Sequence, residues 1–190
     1  LRKNILTDEE REEYLGIIEE EMKRLYTMAN GILNLTKVEN QSILTNVTEY
    51  NLSEQIRLTV LLLESKWTAR NINMNIDFGE YTINANEEMM KQVWINLLDN
   101  AIKFSPEGEE ISIRISNKNE HIYVSISGKG PHIEDEEINK IFRKFYQSDS
   151  SHSTEGTGIG LALVSRIIEL HKGRIEVNSD KNINTFTVIL

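Results

Sequence analysis

Apolar side chains fall on every second position twice in close succession: Ile111, Ile113 and Ile115, then Ile122, Val124 and Ile126. Such alternation buries one face of a strand and wets the other. The polar run from Asn117 to Glu120 between them predicts an antiparallel hairpin. A lone hairpin is marginal in water, so other elements must cover its apolar face. Flanking segments can do so. Asn86 predicts an N-cap for a helix over 87–103 that Ser105-Pro106 terminates, and Gly158 to Leu170 predicts another. A helix over 52–66 is signalled by Asn51 and Glu54. Further alternation at Ile72, Met74, Ile76 and Phe78, and at 81–85, 174–178 and 185–190, predicts more strands, and a short helix is expected from Glu134 to Phe145. Mixed elements with antiparallel pairings imply an α+β two-layer sandwich, a mixed β-sheet with helices on one face.

Ahead of this sandwich, residues 7–38 predict one long helix. Thr7 and Glu10 form a capping-box pattern, and Tyr14, Ile18, Leu25, Met28, Ile32 and Leu35 follow a near-heptad stripe. A solitary helix cannot bury so wide a stripe, which predicts pairing with other helices and a homodimer through helix 7–38. The chain divides into a helical segment at 1–40, a polar linker at 41–50 and the sandwich at 51–190.

A net charge of -9 argues against a general nucleic-acid binder, which needs clustered Lys and Arg. The absence of cysteine excludes disulfides and thiolate metal sites. No apolar run approaches a membrane span. The chain begins at Leu1, reads as a fragment, and leaves room for a membrane-bound parent.

Four stretches can carry chemistry. In "QVWINLLDNAIKFS", Gln92, Asn96, Asn100 and Lys103 share one helical stripe. Carboxamide oxygens can ligate Mg²⁺ and a lysine can meet a phosphate, although an ordinary polar outer face has the same pattern. In "EGTGIGLALV", Gly156, Gly158 and Gly160 precede or open a helix, where backbone N–H groups can approach phosphate oxygens. The competing reading is a flexible loop. In "SISGKGPHI", Gly128 and Gly130 suit a turn with φ > 0 or close approach to a ligand; a plain turn fits equally. In "IFRKFYQSDSS", Ile141, Phe142 and Phe145 can pack inward while Arg143 and Lys144 stay exposed to meet a polyphosphate or only solvent. The segment 147–157 is expected to be a mobile loop. His121, His132, His152 and His171 show no metal-ligand spacing and read as surface or loop residues.

Together and in this order, the stretches resemble the catalytic, ATP-binding domain of sensor histidine kinases. "NLLDNAIKFS" resembles the family's asparagine box, "SGKGPHI" its first glycine box, "IFRKFYQ" its phenylalanine box and "GTGIGLALV" its second glycine box. The helix at 7–38 resembles the second helix of the dimerisation and phosphotransfer hairpin. The resemblance implies a Bergerat-type ATP-binding fold, with ATP and Mg²⁺ as ligands. It also implies a response regulator receiver domain as partner, and a location as the cytoplasmic portion of a membrane-associated sensor. Asn100 would hold Mg²⁺, with Asn96 lining the same site. Lys103 would face phosphates and Phe104 the nucleotide. Lys144 would reach the terminal phosphate, giving Asn96 and Lys144 the catalytic roles. Gly128, Gly130 and Ile133 would border the base, and Gly156, Thr157, Gly158, Gly160 and Leu161 would shape the phosphate cradle.

Two departures stand out. Where the family has Asp-Asn-Gly-x-Gly-Ile, this chain has Gly128, Lys129, Gly130, Pro131, His132 and Ile133. The missing aspartate normally accepts from the adenine amino group, and losing such a bond weakens ATP about 10- to 100-fold. Asn86, Arg143, Asn182 and Asn184 also stand where aspartate, glutamate, glycine and glycine are common. The second departure is the phosphoacceptor histidine, since none occurs before His121. The resemblance implies transfer of the ATP γ-phosphoryl group to a histidine outside this segment. A catalytically weak regulatory or dimerisation module is the alternative.

Overall fold

The computed structural model describes residues 7–147 and 156–190. Helix α1 (Asp8–Glu39) starts at a complete capping box, in which Thr7 Oγ1 accepts from the Glu10 N–H at 3.2 Å and Glu10 Oε2 accepts from the Thr7 N–H at 2.8 Å. It is followed by β1 (Thr48–Asn51), α2 (Leu52–Leu62), α3 (Glu64–Ala69), β2 (Asn73–Asp77), β3 (Thr82–Ala85) and α4 (Glu87–Phe104). Next come β4 (Glu110–Lys118), β5 (His121–Lys129), α5 (Asp135–Ile138), α6 (Gly160–Leu170), β6 (Arg174–Asp180) and β7 (Ile183–Ile189).

The main sheet has the order β2-β4-β5-β7-β6. β2 runs parallel to β4 and the other pairs are antiparallel, so the sheet is mixed. Two hairpins close on two residues each. Asn119 and Glu120 have φ of 52° and 65°, and Lys181 and Asn182 have 48° and 65°. Paired positive φ values make the tight turn whose twist matches the flanking strands. The expected α+β sandwich is the observed one.

Its core lies between the sheet and the helices. Trp94, Met90, Val93, Leu97 and Leu98 of α4 are buried against Ile111, Ile113, Val124 and Ile126, with Val164, Ile167 and Ile168 of α6 beside them. Fully burying each such side chain contributes about 1.5–3 kcal/mol. The indole N–H of Trp94 donates to Gln55 Oε1 at 2.9 Å, and the same oxygen accepts from the Tyr50 hydroxyl at 3.1 Å. Gln55 Nε2 in turn donates to the Glu87 carbonyl at 2.8 Å. Burial, with the charge of Glu87 in support, pushes the Tyr50 hydroxyl well above its ordinary range.

Several expectations need correction. The polar linker is not wholly irregular: Thr48–Asn51 pairs antiparallel with β3 in a separate two-stranded sheet. The helix expected over 52–66 is two, because the chain turns at Leu63, whose φ and ψ of -97° and 10° leave the helical region. The helix expected over Glu134–Phe145 is regular only through Ile138, and the turns that follow place Phe145 at φ 62°. That backbone turns its ring outward, leaving it 54% exposed rather than packed. His171 is not a simple surface residue. It is half-buried, its Nδ1–H donates to the Ile167 carbonyl at 2.7 Å, and its Nε2 accepts from the Asn86 N–H at 3.1 Å.

The C-terminal half of α1 packs on the sandwich: Leu35 and Val38 are buried and Gly31 abuts Ile159. Toward its N-terminus Tyr14, Ile18 and Leu25 of the apolar stripe are exposed. Among the described residues, no helix is long and apolar enough to cross a membrane.

Candidate functional site

A cleft of about 460 Å³ opens between α4, the turns after β5 and the start of α6. Its polar end is built on α4. Asn96, Asn100 and Lys103 line it because spacings of four and three residues keep them on one helical face. Asn96 Nδ2 donates to the Gln92 carbonyl at 2.7 Å, which turns Oδ1 toward Gly160. Gln92 does not line the cleft. Lys103 Nζ sits 4.7 Å from the centroid of the Phe104 ring. Lys66 and Asp99 form an ion pair at the rim.

Opposite α4 stand Gly156, Thr157, Gly158, Gly160 and Leu161. Here glycine makes room for two side-chain tips and, at 158, is required by the backbone. A Cβ at Gly156 would lie 2.6 Å from Lys103 Nζ, and one at Gly160 would lie 2.5 Å from Asn96 Oδ1. Gly158 has φ 65°, and a Cβ there would lie 2.7 Å from the Phe145 backbone. The Phe145 N–H donates to the Gly158 carbonyl at 2.8 Å, and Gln147 Nε2 donates to the Gly156 carbonyl at 2.6 Å. The phenylalanine-bearing turn and the glycine segment are thereby locked together. The loop expected at 147–157 falls mostly on residues 148–155, which lie outside the described residues.

The other end is less polar. Ile126, Phe186, Phe104, Ile133 and Ile141 line it, with Gly128 on the sheet wall. Neither Gly128 nor Gly130 has positive φ, so no left-handed turn explains them. Close packing does. A Cβ at 128 would lie 3.0 Å from Ser105 Oγ, and one at 130 would lie 2.9 Å from Asn184 Nδ2. His132 lines the cleft and contacts Ser179 Oγ at 2.9 Å through Nδ1.

Two expected site residues are elsewhere. Gly130 borders a shallow neighbouring depression with Arg70 and Asn182. Lys144 does not line the cleft; its Nζ pairs with Glu39 at the end of α1. The attraction of the Glu39 carboxylate, 2.6 Å from Lys144 Nζ, is the physical reason. Conversely, Glu20, Lys23, Arg24 and Thr27 of α1 line the cleft, and sequence reasoning missed them. Their i, i+3, i+4, i+7 spacing was the available signal, a polar stripe beside the apolar one.

Among the described residues, no group of three or more His, Cys, Asp or Glu is placed to hold a metal ion. Glu20, Asp99, Glu137 and His132 also line the cleft, but at the glycine segment the facing groups are the Asn96 and Asn100 carboxamides and Lys103, which suits a cation that takes most of its ligands from water and phosphate oxygens. The Cβ-free wall at Gly156 and Gly160 leaves backbone within reach of such a phosphate. The residues fit a magnesium nucleotide.

Residues 85–190 match the family described as histidine kinase-, DNA gyrase B-, and HSP90-like ATPase. This chain belongs to that family. It is an ATP-binding domain of the sensor histidine kinase type. It is 28% identical over 173 residues to the sensor histidine kinase CusS of Escherichia coli, covering 90% of this chain and 36% of that protein. The chain therefore spans about a third of that relative's length. The catalytic domain of histidine kinase ThkA in a nucleotide-free form is 32% identical, with a TM-score of 0.70, covering 77% of this chain and 95% of that one. ThkA in complex with the response regulator protein TrrA is 29% identical, with a TM-score of 0.81, covering 100% of this chain and 53% of that one.

Proposed function

We propose that this ATPase-family domain binds Mg–ATP in the cleft and serves as the kinase part of a two-component sensor. The γ-phosphoryl group passes to a histidine nitrogen outside this segment, with cleavage of the bond to the β-phosphate oxygen and release of ADP. A response regulator receiver domain then takes the phosphoryl group onto an aspartate. The observation that carries the reading is the facing of Asn96, Asn100 and Lys103 by the glycine segment 156–160 across one cleft. The complex of ThkA with its response regulator supports the choice of partner.

In this reading Asn100 Oδ1 is the protein ligand for Mg²⁺, and Asn96 orients beside it. Bound Mg²⁺ supplies neutralisation of phosphate charge. Lys103 contributes a point charge to the phosphates, and the backbone N–H groups from Gly156 to Leu161 cradle them. Catalysis is then mostly positioning and electrostatics. Lys144 would have to leave Glu39 to act on the terminal phosphate. The division into a helix at 1–40, a linker at 41–50 and a catalytic domain at 51–190, the homodimer through α1, and the cytoplasmic placement below a membrane sensor belong to the same proposal.

Calorimetric titration with ATP tests it. Binding that requires Mg²⁺ and is lost with Asn100→Ala is expected; absence of binding by the unmodified chain overturns it. The bare sheet wall at Gly128 favours a second reading, a regulatory module that binds nucleotide weakly, which the same titration separates from the first.

A further inference from the structure

The sheet wall of the cleft carries an acceptor where the sequence motif has none. In the β5–β7 pair, Gly128 stands opposite Asn184 and Ile126 opposite Phe186. Residues directly opposite in an antiparallel pair project from the same face, and all four line the cleft. Gly128 contributes no side chain there; Asn184 fills the adjacent space. Its Nδ2 donates to the Pro131 carbonyl at 2.8 Å. That carbonyl can only accept, which fixes the amide with its nitrogen toward Pro131. Oδ1 is left buried with no hydrogen-bond partner among the described residues. Glycine at 130 makes this pose possible, since a Cβ there would lie 2.9 Å from Asn184 Nδ2.

Buried polar atoms are satisfied in the great majority of cases, and one left without a partner on a residue that lines a cleft marks a place for a ligand's donor. The surroundings narrow the donor. Ile126, Phe186, Phe104 and Ile133 suit a flat ring of low polarity, and the phosphate-binding groups lie at the far end. Resting on the nucleotide reading of this cleft, we propose that Asn184 Oδ1 accepts a hydrogen bond from the exocyclic amino group of an aminopurine. It thus takes the part that an acidic side chain at position 128 would otherwise play. Adenine selectivity moves from β5 to its cross-strand neighbour on β7, and the glycine at 128 no longer implies an indiscriminate site.

The test compares Mg–ATP with Mg–purine riboside triphosphate, which has hydrogen in place of the amino group. In calorimetry the unmodified chain should bind ATP about 10-fold tighter than the analogue, the order for one buried hydrogen bond. Asn184→Leu should bring ATP down to the affinity of the analogue and leave the analogue unchanged. An ATP-to-analogue ratio that survives the substitution, or that is already near one in the unmodified chain, overturns the proposal while triphosphate binding upholds the nucleotide site. Failure of both ligands to bind overturns both. Should the variant not fold, NMR of the unmodified chain decides: the Asn184 side-chain amide signals shift with ATP and not with the analogue, and equal shifts with both overturn the assignment.

Discussion

Lys144 Nζ lies 2.6 Å from Glu39 Oε1, tying the turn beside the glycine segment to the last turn of α1 across 105 residues of sequence. Both side chains are substantially exposed, so the pair is worth less than about 1 kcal/mol. Glu39→Gln should leave the melting temperature within a few degrees of the unmodified chain. If Lys144 must leave this carboxylate to reach a phosphate, the same substitution strengthens Mg–ATP about 2- to 5-fold. Calorimetry reads the change, and an unaltered affinity would remove Lys144 from the nucleotide site.

Gly158→Ala should damage the site more than the fold's core. The added Cβ meets the Phe145 backbone at 2.7 Å and sits on a residue with φ 65°, so the interlock between the two segments must open. Strain of this kind costs about 1–3 kcal/mol. Nucleotide affinity should fall by at least tenfold, while far-ultraviolet circular dichroism stays unchanged.

Gln55→Leu tests the buried hub. It removes the acceptor of Trp94 and Tyr50 and the donor to the Glu87 carbonyl. Orphaned buried groups cost about 1–3 kcal/mol each before relaxation, and a net loss of about 2–3 kcal/mol is expected. Thermal melting should show a fall of roughly 4–12 °C. A change within one degree would mean that water replaces the lost partners.

These relationships separate what local sequence reveals from what it hides. Capping residues and hydrophobic period act over one or two turns, so α1, α4 and the β4–β5 hairpin were legible from Thr7, Asn86 and the alternating isoleucines. The strand Thr48–Asn51 was not, because it pairs with β3, more than thirty residues on. The same division holds at the cleft. Asn96, Asn100, Lys103 and the glycines at 156–160 sit in contiguous motifs. Asn184 draws its place from cross-strand register with Gly128, and Lys23 and Arg24 from the docking of α1, neither of which is encoded by neighbours in sequence.

His171 gives the chain an acid-side weakness. Burial holds its imidazole below the ordinary value of 6.5, against an opposing pull from its bond to the Ile167 carbonyl. The neutral ring accepts from the Asn86 N–H, which a protonated ring cannot do. Because the folded value is depressed, its contribution is fully present above 6.5 and is lost as pH falls through the lowered folded value. The melting temperature should drop between pH 7 and 5, and His171→Gln should flatten that part of the profile. An equal drop in the variant would assign the acid sensitivity to other groups.

The parallel pairing of β2 with β4 sets a timing problem during synthesis. Asn73 meets Glu110, 37 residues later, only after α4 has crossed between them. At about 5–20 residues per second, β2 leaves the ribosome roughly 2–7 s before its partner exists. An apolar strand left open for that long would invite pairing with other nascent chains. β2 reads Asn73, Met74, Asn75, Ile76, Asp77, with a polar side chain at every second position and most of it solvent-facing even in the finished fold. Its polarity suits a strand that must wait in the open for its neighbour to be made, and Asn73 and Asn75 then donate to Glu110 on that neighbour.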